Sequence, residues 1–165
     1  MKCKVVKIES LSGPKTSIYS VYINDDDITL YESFISENKN LFKSELIDIS
    51  KRLRSIGSST GAREQFFKLN EGDLGDGVCA LYDNPDKTLR LYCIRYGTTT
   101  IILGGGGEKP KSMRSLQDSE KLTEENYLLR ELSKEITKRL KSKDIRLPND
   151  SNDFTGTLEF NTDEE

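Results

Sequence analysis

The sequence contains no histidine among its 165 residues. That absence excludes serine–histidine and cysteine–histidine catalysis and any histidine-ligated metal. Acid–base chemistry is left to Lys, Arg, Tyr, Asp or Glu. Cysteine is scarce: Cys3, Cys79 and Cys93 are odd in number, lack metal-ligand spacing and sit in apolar contexts, so buried free thiols are expected. Long apolar runs are missing too. No window approaches the roughly 18 residues of a membrane span, and "MKCKVVKIES" has neither the h-region nor the cleavage site of a signal peptide. A cytoplasmic protein without membrane association is expected.

With 34% hydrophobic residues the chain can bury one modest core. A single domain over 1–147 is expected, followed by a tail over 148–165. The formal net charge of -3 is distributed unevenly: residues 1–85 carry -2, residues 86–146 carry +5, and the last stretch carries -6. A basic segment suits a polyanion such as RNA, although charged faces are usually just solvated.

The N-terminal stretch "KCKVVKIESLSGPKTSIYSVYIND" has two runs rich in Val, Ile and Tyr around a Gly-Pro turn, which reads as a β-hairpin. From Ser36 the pattern changes. Phe42, Leu46, Ile49, Leu53 and Ile56 alternate in steps of four and three, one face of a helix that Gly57 is expected to stop. A short helical piece follows around Glu64 to Leu69. Then "GVCALYD", "TLRLYCIRY" and "TTTIILGG" read as three strands of an antiparallel meander. Alternation puts Leu89, Leu91 and Cys93 on one face of the middle strand and Arg90, Tyr92 and Ile94 on the other. A last helix is expected from an N-cap near Thr123, with its apolar stripe at Leu128, Leu129, Leu132, Ile136 and Leu140. After Pro148 the polar, acidic chain reads as a mobile tail; the alternatives are that "TGTLEF" adds a strand or covers a basic surface.

The run "GGGGEKPK" invites comparison with phosphate-binding loops and fails both tests. A Walker loop needs Gly-Lys followed by Ser or Thr at the start of a helix, whereas Gly107 is followed by Glu108, Lys109 and Pro110. A dinucleotide fingerprint needs a parallel strand with a helix directly after it. The remaining reading is a strand end cleared of side chains where another surface comes close, with a large partner as that surface.

The order of elements and the segments "LGDGVCALYD", "LRLYCIRY" and "TIILGGGGEKPK" resemble the RelE/ParE superfamily of toxins, and within it the HigB-like, phage-derived branch. The likeness spans roughly residues 41 to 141 and is strongest between 74 and 114. It implies an α+β fold with helices packed against a twisted antiparallel sheet, a long C-terminal helix, and the toxin of a type II toxin–antitoxin pair. The implied activity is a ribosome-dependent endoribonuclease that cuts messenger RNA, leaving a 2′,3′-cyclic phosphate, without metal or cofactor. A cognate antitoxin of the helix-turn-helix kind is the implied protein partner. Alternatives on the same fold are a ParE-like DNA gyrase inhibitor and a noncatalytic RNA- or protein-binding module.

Carried onto this chain, the resemblance makes Arg90 the arginine of the middle strand and Lys109 or Lys111 the basic position beyond the last strand. These three are the catalytic candidates, since arginine and lysine can stabilise charge on a phosphorane. Arg63, Lys68, Tyr92, Arg95 and Arg114 are the candidate RNA contacts, Tyr92 through stacking. The sequence departs from the family pattern where glycines replace an aromatic strand end and where no tyrosine follows the basic segment. The nearest, Tyr127, falls inside the last helix, so no residue is assigned as general base.

Overall fold

The computed structural model describes residues 1–110 and 119–162. Strand β1 (Lys2–Lys7) turns back into β2 (Ser17–Ile23), and two helices follow, α1 (Leu30–Asn38) and α2 (Lys43–Ser55). A single wide turn, Ile56–Thr60, and a 3-10 turn, Glu64–Phe66, lead to β3 (Phe67–Lys68), β4 (Val78–Leu81), β5 (Leu89–Tyr96) and β6 (Thr100–Glu108). Helix α3 (Glu120–Ser142) and the short strands β7 (Ile145–Arg146), β8 (Thr155–Gly156) and β9 (Glu159–Asn161) complete the described chain. Seven strands form one sheet in the order β3-β4-β5-β6-β2-β1-β9.

The α+β class and the meander agree with the expectation, but the sheet is mixed. Ser17, Ile18 and Tyr19 pair in parallel with Thr100, Ile101 and Ile102, which joins the N-terminal hairpin to the meander. Side-chain alternation then divides the interior between two faces. Ile18, Leu89, Leu91, Cys93, Ile101 and Leu103 pack with α1 and α2. Tyr19, Val21, Ala80, Tyr92, Ile94 and Ile102 pack with α3. Helices therefore cover both faces of the sheet.

Helix α1 lies mostly before the point where sequence periodicity changes. It starts from a capping box in which Thr29 accepts from the Glu32 backbone and the Glu32 side chain accepts from the Thr29 backbone. Helix α2 buries Leu46, Ile49 and Leu53, the expected stripe. Gly57 does not stop it: the turn runs on to Thr60, and Gly61, at φ 80°, ends it. Gly57 is there for contact, because a Cβ would lie 2.2 Å from the Leu11 carbonyl oxygen. The expected helical piece at 64–69 shrinks to the 3-10 turn and β3.

Gly104 to Gly107 are not a strand end. They lie buried within β6, and the pairing with β5 shifts by one residue between Leu91/Gly106 and Cys93/Leu103. That bulge turns two consecutive residues to the α3 face. A Cβ on Gly104 would meet Leu129 at 2.6 Å, and one on Gly105 would meet the Glu125 carboxylate at 2.3 Å. The clearance serves the chain's own helix rather than a partner.

Helix α3 is capped four residues before the expected N-cap at Thr123, by Ser119, whose side chain accepts from the Leu122 backbone. Beyond it the expectation of a mobile tail gives way to order in residues 148–162. Phe154 is buried edge-on against Tyr19 and Tyr96, at 5.1 and 5.3 Å between centroids. Phe160 sits opposite Cys3, where β9 adds to the β1 edge, and the Arg139 guanidinium lies 4.6 Å from its ring. Asp153 takes a hydrogen bond from the Ser17 hydroxyl and pairs with Lys7 at 3.1 Å; these contacts hold its carboxyl below the usual range. No helix among the described residues is long and apolar enough to cross a membrane.

Candidate functional site

Arg90 opposes Gly107 across the β5–β6 ladder, and Lys109 follows Gly107 by two residues. The period of two puts both side chains on the α3 face. The Lys109 amide donates to Thr88 O at 2.8 Å, which carries the pairing beyond Glu108 and fixes the lysine at the strand exit. On the other side of β4, Lys68 pairs with Ala80 on the same face. Three cations from three strands thus meet at one corner of the sheet.

They converge on Asp83, whose side chain is 4% exposed. Lys109 Nζ donates to Asp83 Oδ2, and Lys68 Nζ approaches Oδ1 at 3.2 Å without hydrogen-bond geometry. Arg90 is held more loosely: its Nε lies 3.7 Å from Asp83 Oδ1, and its Nη1 lies 4.0 Å from Glu71 Oε1. Arg90 Nε and Asp83 Oδ1 are both buried without a hydrogen-bond partner among the described residues. Three cations against two carboxylates leave one positive charge in excess, and the least satisfied member is the guanidinium. Such a corner can accept a further anion.

A polar layer between α3 and the sheet sets the position of Glu71. Asn126 Nδ2 donates to Glu71 O at 2.8 Å, Arg130 Nη2 donates to the same oxygen at 3.2 Å, and Arg130 Nε donates to Asn126 Oδ1 at 2.7 Å. The Tyr92 hydroxyl faces this layer beside Arg90 and Asn126, and burial pushes its phenol up, with the Arg90 charge opposing. Tyr92 is 0% exposed, so the stacking role expected for it is corrected: its ring is core, not surface.

Arg95 and Arg63 do not join the corner. Five residues from Arg90 on an extended strand is about 16 Å, and odd spacing sends Arg95 to the opposite face. There its Nε donates to Ala62 O at 2.7 Å, and its Nη1 lies 3.9 Å from Glu64. Arg63 is exposed nearby, with its Nε donating to Thr60 O. Lys111 and Arg114 lie outside the described residues.

Sequence reasoning missed Asp83, Glu71, Asn126 and Arg130. Asp83 opens the "DNPDK" turn and Glu71 sits in a glycine-rich loop, where carboxylates read as punctuation. Asn126 carried a usable signal: Leu122, Asn126 and Leu129 fall at steps of four and three, which puts a polar residue on the buried stripe of α3. Among the described residues no cluster of three or more Cys, Asp or Glu is arranged to hold a metal ion.

No family model matches the sequence, and no curated protein or solved structure matches the chain.

Proposed function

We propose that the chain is an RNA-directed toxin of the RelE/ParE, HigB-like kind, an endoribonuclease acting on messenger RNA at the ribosome. The observation that carries this reading is the convergence of Lys68, Arg90 and Lys109 on one corner. A phosphodiester entering there competes with the Asp83 carboxylate for the same cations, and the loosely held Arg90 is the one free to turn to it. Arg90 and Lys109 stabilise the negative charge that builds on the nonbridging phosphoryl oxygens as the 2′-oxygen attacks phosphorus and the P–O5′ bond breaks, leaving a 2′,3′-cyclic phosphate and a 5′-hydroxyl protonated from water. Glu71, partly exposed and 4.0 Å from Arg90, is the carboxylate best placed to accept the hydroxyl proton. A cognate antitoxin restrains the toxin by covering this corner.

The experiment is induced expression with translation and transcript 5′ ends monitored, in wild type, Arg90→Ala and Lys68→Ala/Lys109→Ala. The nuclease reading expects growth arrest with new transcript ends that both variants lose. Arrest with intact transcripts removes it. One observation favours a second reading, a noncatalytic RNA-binding module: Asp83 lies between the cations and already engages Lys68 and Lys109, so a phosphate would bind beside the carboxylate, through Arg90, without all three cations closing on it. RNA binding by the purified protein without cleavage on programmed ribosomes distinguishes the two.

A further inference from the structure

Asp83 faces two ways. It holds the three cations on one side, and on the other it forms part of the wall of a cavity of about 420 Å³ at the β3–β4 edge of the sheet. Arg52, Gln65, Phe66, Tyr82 and Asn84 line the same space. Its size is that of small-molecule sites, and its walls combine aromatic faces with amides.

The construction is specific. Tyr82 is the residue just past β4, and its backbone is fixed from two sides. Its amide donates to Phe66 O at 2.8 Å, and its carbonyl accepts from Arg52 Nη1 at 2.6 Å. Arg52 is itself set by Asp48 at 3.1 Å. Yet Tyr82 is 46% exposed, with the Lys68 ammonium 5.8 Å from the centroid of its ring. An aromatic ring on an anchored backbone, open to solvent, is a stacking platform that needs little ordering on binding. The Gln65 and Asn84 side-chain amides have no partner among the described residues. Each offers a donor and an acceptor, the complement of a nucleobase edge.

We infer that this cavity receives one unstacked nucleobase of the RNA strand whose phosphate lies at Lys68, Arg90 and Lys109. The inference rests on the RNA reading above and adds to it a base subsite, with Tyr82 stacking and Gln65 and Asn84 reading the edge. Lys68 links the two halves, since its ammonium lies 3.2 Å from Asp83 Oδ1 and 5.8 Å from the Tyr82 ring centroid. The apolar alternative, packing by a partner protein, fits less well where the free groups are amides.

The test is fluorescence anisotropy on the full chain with a short labelled oligoadenylate, the matching abasic ribose-phosphate strand, and unlabelled adenosine monophosphate as competitor. Tyr82→Ala is expected to weaken oligoadenylate binding about tenfold or more while leaving the abasic strand unchanged. Tyr82→Phe keeps the ring and is expected to keep the affinity. Gln65→Ala/Asn84→Ala is expected to reduce the preference among homopolymers of different base. If wild type binds oligoadenylate in a manner that depends on Arg90 but Tyr82→Ala and Gln65→Ala/Asn84→Ala change nothing, the base subsite is overturned and the RNA reading stands. If wild type binds no RNA, both fall. If the monophosphate binds as tightly as the strand, the subsite belongs to a free nucleotide and the strand assignment is overturned.

Discussion

Arg90 and Arg95 occupy the same strand, are 13% and 15% exposed, and are equally basic in sequence, yet they are in different chemical situations. Arg95 spends its Nε on the Ala62 carbonyl at 2.7 Å, tying β5 to the turn that follows α2. Arg90 reaches two carboxylates only at 3.7 and 4.0 Å and leaves its Nε unpaired. What separates a structural arginine from an available one here is the supply of acceptors around each. Strand parity decides that supply by sending one side chain to the α1–α2 face and the other to the α3 face.

The most severe way to break this difference is to move the Arg90 backbone. Gly106→Val puts a Cβ where only 1.9 Å separates it from Arg90 O. A cost of about 3 kcal/mol or more is expected, read as a large fall in Tm by circular dichroism. Next comes Asp83→Ala, which leaves three cations without their shared carboxylate. A loss of about 2 kcal/mol is expected, below the figure for a fully buried pair because Lys68 is 31% exposed. The same variant is expected to bind phosphate-bearing ligands more tightly, a stability loss paired with an affinity gain.

Arg95→Ala leaves the Ala62 carbonyl without its donor and is expected to cost about 1–3 kcal/mol in urea denaturation. Arg90→Ala, which gives up only long ion pairs at 3.7 and 4.0 Å, is expected to cost less. Equal costs would erase the distinction. The smallest signal lies in Cys93, which sits between the two arginines. Burial pushes its thiol well up, and the thiol of Cys79 opposite it up to about 12. Thiol labelling of the native chain is therefore expected to be very slow. Arg95→Ala is expected to speed it by loosening the strand, and Arg90→Ala to leave it nearly unchanged.

The sequence carried the periodic elements well. The α2 stripe, the alternation of β5 and the Leu129, Leu132 and Ile136 positions of α3 lie where their spacing put them, because each is a local pattern of apolar residues; Leu128 stays outside the core, and Leu122, just before the expected N-cap at Thr123, enters it. Helix α1 was harder: it has nine residues, and its clearest signal was the Thr29–Glu32 capping box rather than a stripe. The parallel contact between β2 and β6 and the strand β9 depend on pairing between segments far apart in the chain, which no local spacing encodes. At the site, Arg90 and Lys109 were named through the family resemblance and Lys68 as a candidate RNA contact, not through local spacing, for the three stand far apart in the chain. Their carboxylate was not, since Asp83 acquires its role only when three strands bring Lys68, Arg90 and Lys109 to it. Tyr92 failed as a stacking residue for the converse reason: α3 covers the face it shares with Arg90.

If the proposed function holds, the Lys68–Arg90–Lys109 corner meets RNA phosphate and the Arg95 end of the same strand does not. The direct measurement is the affinity of the purified chain for single-stranded RNA across a salt series, for wild type, Arg90→Ala and Arg95→Ala. Arg90→Ala is expected to weaken binding and to lower the slope of log K against log salt by about 0.7, the loss of one phosphate contact. Arg95→Ala is predicted to keep the wild-type slope at temperatures where it remains folded. Equal slopes for wild type and Arg90→Ala, or a slope that falls only in Arg95→Ala, would contradict it.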